Sequence, residues 1–259
     1  MKRLMVVCLT LAVLAPTAGT AAVPDDPLQS SQWIYMARKF FRDAPVVFDD
    51  RVKVQAPDYA ENSLDTPVQV SAPGLDDVEQ VLVFADLSPI TRVLDYYPVK
   101  AEPSIGFAFK IQQATPIRAA MRTSDGTWHV GGKWIDAQGG GCTAPSVASA
   151  SPIWETRLGE TTARLWSPDR EDKHASERLK VRVIHPMDTG LAAGIPAFYI
   201  SEMTIADADG QTLARITPYE PVSENPVFTL DLDADGPVTL SGHDNNGNRF
   251  NSRVDGPES

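Results

Sequence analysis

The chain has 259 residues, 22 % of them charged, with a formal net charge of −11. That acidity argues against nucleic acid and anionic membranes as partners, because both repel a negative surface. Two cysteines and four scattered histidines leave no cysteine-based zinc site and no close set of ligands.

Met1-Lys2-Arg3 is a short basic start, and Leu4 to Pro16 carries no charge. Small residues follow from Thr17 to Ala22, so residues 1–22 read as a secretory signal cleaved after Ala21 or Ala22. The apolar run is too short for a bilayer span of about 20 residues. Cleavage removes Cys8 and the two basic residues, leaving Cys142 as the single thiol of an exported chain with two domains.

Residues 23–45 form a lead whose core, Ser30 to Phe41, predicts one amphipathic helix. Ser30 or Ser31 supplies the cap, and Trp33, Ala37, Phe40 and Phe41 recur at helical spacing to pack on the domain that follows.

From residue 46 to 145 the period changes to two. Val68–Val70, Val81–Phe84, Gly106–Ile111, Ile117–Arg122 and Trp128–Val130 are the strands, punctuated by prolines and by Asp125-Gly126. This predicts a small antiparallel sandwich that ends in Gly139-Gly140-Gly141-Cys142-Thr143-Ala144-Pro145. Three successive glycines predict a mobile, exposed loop that presents the thiol. On that reading Gly140→Ala with Gly141→Ala leaves the melting temperature within a few degrees of wild type, and a small alkylating reagent reacts as before. No Lys, Arg or His lies within several residues of Cys142, Lys133 being the nearest, so the local sequence supplies no activator for the thiol. His129 is the one candidate base that folding could bring close.

Residues 146–178 read as a connector, Ser- and Ala-rich and then charged, with Ile153 to Trp166 packing on the rest of the chain and only a weak helix signal there. A second sandwich spans 179–256, with strands at Leu179–Val183, Phe198–Ile205, Leu213–Ile216, Phe228–Leu232 and Val238–Leu240. Asp231 to Gly236 opens like a calcium loop, but Gly242 stands where the bidentate Glu belongs, so the alternating Asp residues read as a solvent-facing turn. The fold class is therefore mainly β: two small Ig-like sandwiches in tandem behind a short N-terminal helix.

The second domain resembles SoxZ. His185-Pro186-Met187-Asp188-Thr189-Gly190, then Ile195 to Ile200, Ser223 to Pro226 and Asp244 to Gly247 carry the resemblance, which spans nearly all of 179–255. The first domain resembles SoxY, whose chain finishes in a Gly-Gly-Cys-Gly-Gly arm. Both on one chain look like the fused SoxYZ-like carriers associated with quinoprotein dehydrogenases.

The resemblance implies a non-catalytic periplasmic carrier with no cofactor, on which Cys142 bears a covalent sulfur-containing or other thiol-reactive group. Its implied partners are periplasmic redox enzymes, a quinoprotein dehydrogenase or a c-type cytochrome. The turn from His185 to Gly190 reads as an inter-domain contact or a docking element. One departure matters: Thr143-Ala144-Pro145 replaces two glycines and the chain continues, so the cysteine must enter any partner as a loop. A non-covalent accessory module and an enzyme in its own right are the other readings.

Overall fold

A computed structural model describes residues 23–146, 153–168 and 176–256. The predicted leader and the charged centre of the connector lie outside the described residues. Among those described, no helix is long and apolar enough to cross a membrane.

The helix α1 spans Trp33–Phe40. Trp33, Met36, Ala37 and Phe41 are buried against Leu82, Phe84, Ala120, Trp128 and Val130, as the aromatic spacing predicted. Neither serine caps it in the expected way. Gln32 precedes the first turn without a side-chain cap, and Ser30 Oγ accepts only the Gln32 amide. The segment before the helix is fastened instead through Asp26. Its carboxylate accepts two hydrogen bonds from Arg118, at 2.9 and 2.7 Å, and the buried Arg118 also reaches Asp86. A buried charge survives only when paired and hydrogen-bonded, and this guanidinium is held on both sides.

Among the described residues fifteen strands follow: β1 (Val46–Phe48), β2 (Lys53–Gln55), β3 (Thr66–Ser71), β4 (Val78–Ala85), β5 (Arg92–Pro98), β6 (Ala101–Phe109), β7 (Thr115–Thr123), β8 (Trp128–Ile135), β9 (Thr161–Trp166), β10 (Glu177–Val183), β11 (Ile200–Ala206), β12 (Thr212–Pro218), β13 (Val227–Leu232), β14 (Val238–Asp244) and β15 (Arg249–Val254). Each predicted strand lies within or overlaps one of these. Five were not predicted: β1, β2, β5, β9 and β15.

The strands form two sheets. One runs β1-β8-β7-β4-β5-β12-β11-β14-β15, the other β2-β3-β6-β13-β10-β9. In each, a strand from the first half pairs antiparallel with one from the second: Tyr96 of β5 stands opposite Ile216 of β12, and Ile105 of β6 opposite Leu230 of β13. The two Ig-like halves in tandem thus share both sheets, and one core runs through them, from Val81, Val83 and Ile105 to Val181, Phe228 and Leu240.

The connector packs over Ile153 to Trp166 as expected, and part of it is a strand that was not expected. Trp154–Arg157 forms a short helix, α2, and β9 pairs antiparallel with β10, Leu165 opposite Leu179. Leu165 turns into the core while Arg164 points to solvent, so the alternation was present over too few residues to stand out.

Candidate functional site

After β8 the chain crosses the end of β6. Gly139 and Gly140 both have positive φ, 91° and 89°, and Gly141–Thr143 closes a 3-10 turn. The Gly140 and Gly141 amides donate to the Gln112 and Ile111 carbonyls, at 3.2 and 3.0 Å. The Cys142 amide donates to Gln112 Oε1 at 3.1 Å.

This packing corrects the expectation of a mobile, exposed loop. Cys142 is 0 % exposed. The glycines serve close approach. A Cβ on Gly139 would stand 2.1 Å from the Gln112 carbonyl oxygen, and one on Gly141 would stand 1.9 Å from that of Ser63. Only Gly140 faces open space, and its positive φ alone disfavours a side chain. The expectation that Gly140→Ala with Gly141→Ala would be tolerated therefore fails at Gly141, where rigid backbone blocks the added carbon.

The turn from His185 to Gly190 closes over the arm from the other half. Thr189 Oγ1 donates to the Cys142 carbonyl at 2.5 Å. Past the cysteine, Thr143 is exposed, Ala144 is extended before the half-buried Pro145, and Ser146 is buried again. The Ser146 amide and hydroxyl donate to the two Asp188 oxygens, at 2.8 and 2.7 Å.

The turn is itself held tightly. Met187 takes φ 49°, its amide donates to His185 Nδ1 at 3.1 Å, and Asp188 exchanges backbone hydrogen bonds with Phe198. Pro186 is buried beside them, and Gly190 takes φ 78° against Ala197. The sequence named the arm and the turn separately. The structure brings them together.

Sequence reasoning missed the residues between them. Lys110 is 3 % exposed, and its Nζ donates to the Met187 carbonyl. The Cys142 thiol lies 3.4 Å from the Lys110 carbonyl oxygen. Ser88, from the loop between β4 and β5, has a buried hydroxyl with no hydrogen-bond partner among the described residues. Lys110 is 32 residues from Cys142 and no local pattern marks it. A lysine at the end of an apolar strand, Phe107 to Ile111, was the one available signal.

Burial pushes the Cys142 thiol above its ordinary range, against smaller lowering effects from Ser88 and Lys110. Burial also lowers Lys110, opposed by the charges of Asp188, Cys142 and Glu224. His185 is pushed down to about 4 by burial, with Asp244 acting the other way, and its Nε2 lies 3.5 Å from Asp244 without a hydrogen bond.

His129 is committed elsewhere, 2.8 Å from Asp49, and Lys133 pairs with Asp58. Among the described residues no three His, Cys, Asp or Glu side chains are grouped to hold a metal. Asp231 spends its carboxylate on Arg178, at 2.7 and 2.9 Å.

Residues 37–142 match the sulfur oxidation protein SoxY, the match ending on Cys142, and residues 167–255 match the sulphur oxidation protein SoxZ. No curated protein matches the chain. Among solved structures, the sulfur carrier protein SoxY from Chlorobium limicola f thiosulfatophilum is 14 % identical, with a TM-score of 0.38, covering 42 % of this chain and 97 % of that one. A superoxide reductase (neelaredoxin) from Ignicoccus hospitalis is 16 % identical, with a TM-score of 0.29, covering 40 % of this chain and 86 % of that one. The tandem domain matches indicate a sulfur-oxidation carrier, one that works with partner sulfur-oxidation enzymes. The chain is a fused SoxYZ-like protein, a SoxY domain followed by a SoxZ domain on one polypeptide.

Proposed function

We propose that this protein is a periplasmic covalent carrier, in which the single thiol of the exported chain, Cys142, holds a sulfur-containing or other thiol-reactive intermediate for partner enzymes. The observation that carries this reading is the seat of Cys142: the last residue of the SoxY match is held through its carbonyl by Thr189 of the SoxZ domain. A cysteine present only to fill a core would need no such contact on its backbone from the other half.

The carrier has no catalytic activity of its own and no cofactor beyond the adduct. Export rests on the charge and hydropathy pattern of residues 1–22. The partners are periplasmic redox enzymes, with a quinoprotein dehydrogenase or a c-type cytochrome favoured by the fusion of both domains on one chain.

In this reading the buried thiol is a resting state, and the arm leaves its seat to meet a macromolecular partner. Intact-mass spectrometry of protein recovered from the export compartment of growing cells tests it. A mass increment that maps to Cys142, is lost on thiol reduction and is missing from Cys142→Ser is the expected result. Unmodified Cys142 throughout, while the pathway runs, overturns it.

The complete burial of Cys142 favours one second reading, a non-covalent accessory module for a periplasmic dehydrogenase or cytochrome. There, Cys142→Ala leaves growth and partner pull-down unchanged.

A further inference from the structure

The second sheet has a core face and an outer face, because successive side chains on a strand point to opposite sides. Ile105, Val181 and Leu230 lie in the core. The residues that alternate with them line the outer face. There the register sets Gly106 between Gln69 and Thr229, Thr229 beside Lys180, and Lys180 beside Arg164. Two residues along, Ala108 stands opposite Pro67, and Arg182 lies between Val227 and Thr162.

Shape sets this face apart. Gly106 and Ala108 have little or no side chain, so β6 is the floor of a groove of about 840 Å³. Gln69 borders it on one side, and Thr229, Lys180 and Arg182 on the other. A glycine inside a strand often marks a place where another chain or a ligand comes close.

Charge sets it apart as well. The whole chain carries −11, yet Arg164, Lys180 and Arg182 are exposed on adjacent strands, with no ion pair to a described carboxylate. Asp231, on the same face, is spent on Arg178 at 2.7 and 2.9 Å. Arg164 lies over the Trp166 ring, 5.6 Å from its centroid. Asp65 and Glu224 close one end of the groove, and Glu102 lies beyond the other, 3.5 Å from Ser176.

The closed end abuts the Cys142 site. Asp65 follows Ser63, the residue whose carbonyl Gly141 approaches. Asn225, also in the groove wall, donates its amide to the His185 carbonyl at 2.8 Å and accepts the His185 amide on Oδ1 at 3.1 Å. A segment lying in the groove is thus next to the arm and the turn without touching the thiol.

We propose that this groove docks an acidic segment of a partner enzyme, with Lys180 and Arg182 meeting its carboxylates. This rests on the carrier reading above and names the chemistry of the partner. On a chain that repels acidic surfaces overall, a local basic patch draws such a segment to one place and fixes its orientation. The groove is built from β3 and β6 of one half and β10 and β13 of the other, so only the joined halves present it.

The test is fluorescence anisotropy of a labelled Glu-Gly repeat peptide, titrated with the whole exported chain at low salt. Saturable binding is expected against the net charge of the protein. It should fade as salt rises to about 1 M, where charges are screened beyond about 3 Å. Lys180→Glu with Arg182→Glu should weaken it at least about tenfold. The control is Arg249→Glu with Arg253→Glu, exposed positions on β15 of the other sheet. It changes the net charge equally and should weaken binding by no more than about threefold.

Absence of saturable binding overturns the proposal. So does an equal loss in the two double variants, which would make the effect one of bulk charge. Binding to phosphatidylglycerol vesicles without binding to the peptide overturns it too, in favour of a membrane surface. If the reversed pair fails to fold, Lys180→Gln with Arg182→Gln decides. Peptide binding needs no adduct, so the failure modes separate from those of the carrier reading. Binding with no native adduct on Cys142 leaves the groove standing and removes the carrier, and an adduct without binding does the reverse.

Discussion

The two halves of the molecule meet twice, and the meetings differ in kind. At the seams, β5 joins β12 and β6 joins β13 through backbone ladders, backed by Tyr96, Ile105, Ile216, Phe228 and Leu230 in the core. At the arm, the halves meet through a few side-chain bonds: Thr189 to Cys142, Asp188 to Ser146, Lys110 to Met187. Dismantling a ladder strands many buried polar groups and unfolds the sheet, whereas each arm bond is worth a net of about 1 kcal/mol. One contact is therefore permanent and the other separable, which is the division of labour that the proposed carrier thiol needs.

The largest expected effect breaks the permanent side. Phe228→Ala deletes a fully buried ring on β13 and should cost about 3–5 kcal/mol. At about 2–4 °C per kcal/mol, calorimetry should show a melting temperature roughly 10 °C lower, in one transition. Two resolved transitions would mean that the halves fold independently and that the shared sheets are not cooperative.

Acid attacks the arm side first. His185 holds about 4 in the fold against 6.5 for the ordinary side chain, so the unfolded chain binds the extra proton between those values. Stability from this group is intact above about pH 6.5 and falls as the pH drops toward 4, by at most about 3 kcal/mol. Chemical denaturation at a series of pH values should show that slope, and His185→Asn should flatten it. An equal slope in the variant would place the acid sensitivity elsewhere.

The arm glycines sharpen the contrast further. Gly141→Ala should unseat the arm, because the added carbon meets the Ser63 and Ile111 carbonyls. Iodoacetamide should then alkylate Cys142 at least about tenfold faster, a change worth about 1.4 kcal/mol. Gly140→Ala should cost only about 1 kcal/mol in backbone strain and raise the rate less. Equal rates in the two variants would show that the arm is not seated in solution.

The smallest effect is Thr189→Val, which removes one hydrogen bond worth about 0.5–1.5 kcal/mol. The alkylation rate should rise about twofold to tenfold. The global melt should barely move, because the bond lies outside both ladders.

Much of this was legible in the sequence. Alternation over Leu179 to Val183 marked a strand with one face buried, Ile117 to Arg122 marked one that is buried on both, and the aromatic spacing of Trp33 to Phe41 marked the helix and its packing face. β5 was not legible, because Val93 to Tyr96 is buried on both faces and its Asp95 breaks the apolar run. That carboxylate is satisfied by Gln80, Arg92 and Tyr219, partners that exist only after folding. At the site, the arm and the turn each announced themselves through unusual residues. Their contact did not, and the glycines were read as freedom when their missing side chains instead let the backbone lie against Gln112 and Ser63.

The shared sheets have a consequence for stoichiometry. When both ladders lie within a single polypeptide, their formation is intramolecular, and no amount of dilution shifts it. Every folded molecule then carries one Cys142 and one clamp in a ratio set at synthesis. A melting temperature that is constant across protein concentrations is the signature of that arrangement, and it makes an unclamped thiol in this protein a conformational event rather than a dissociation.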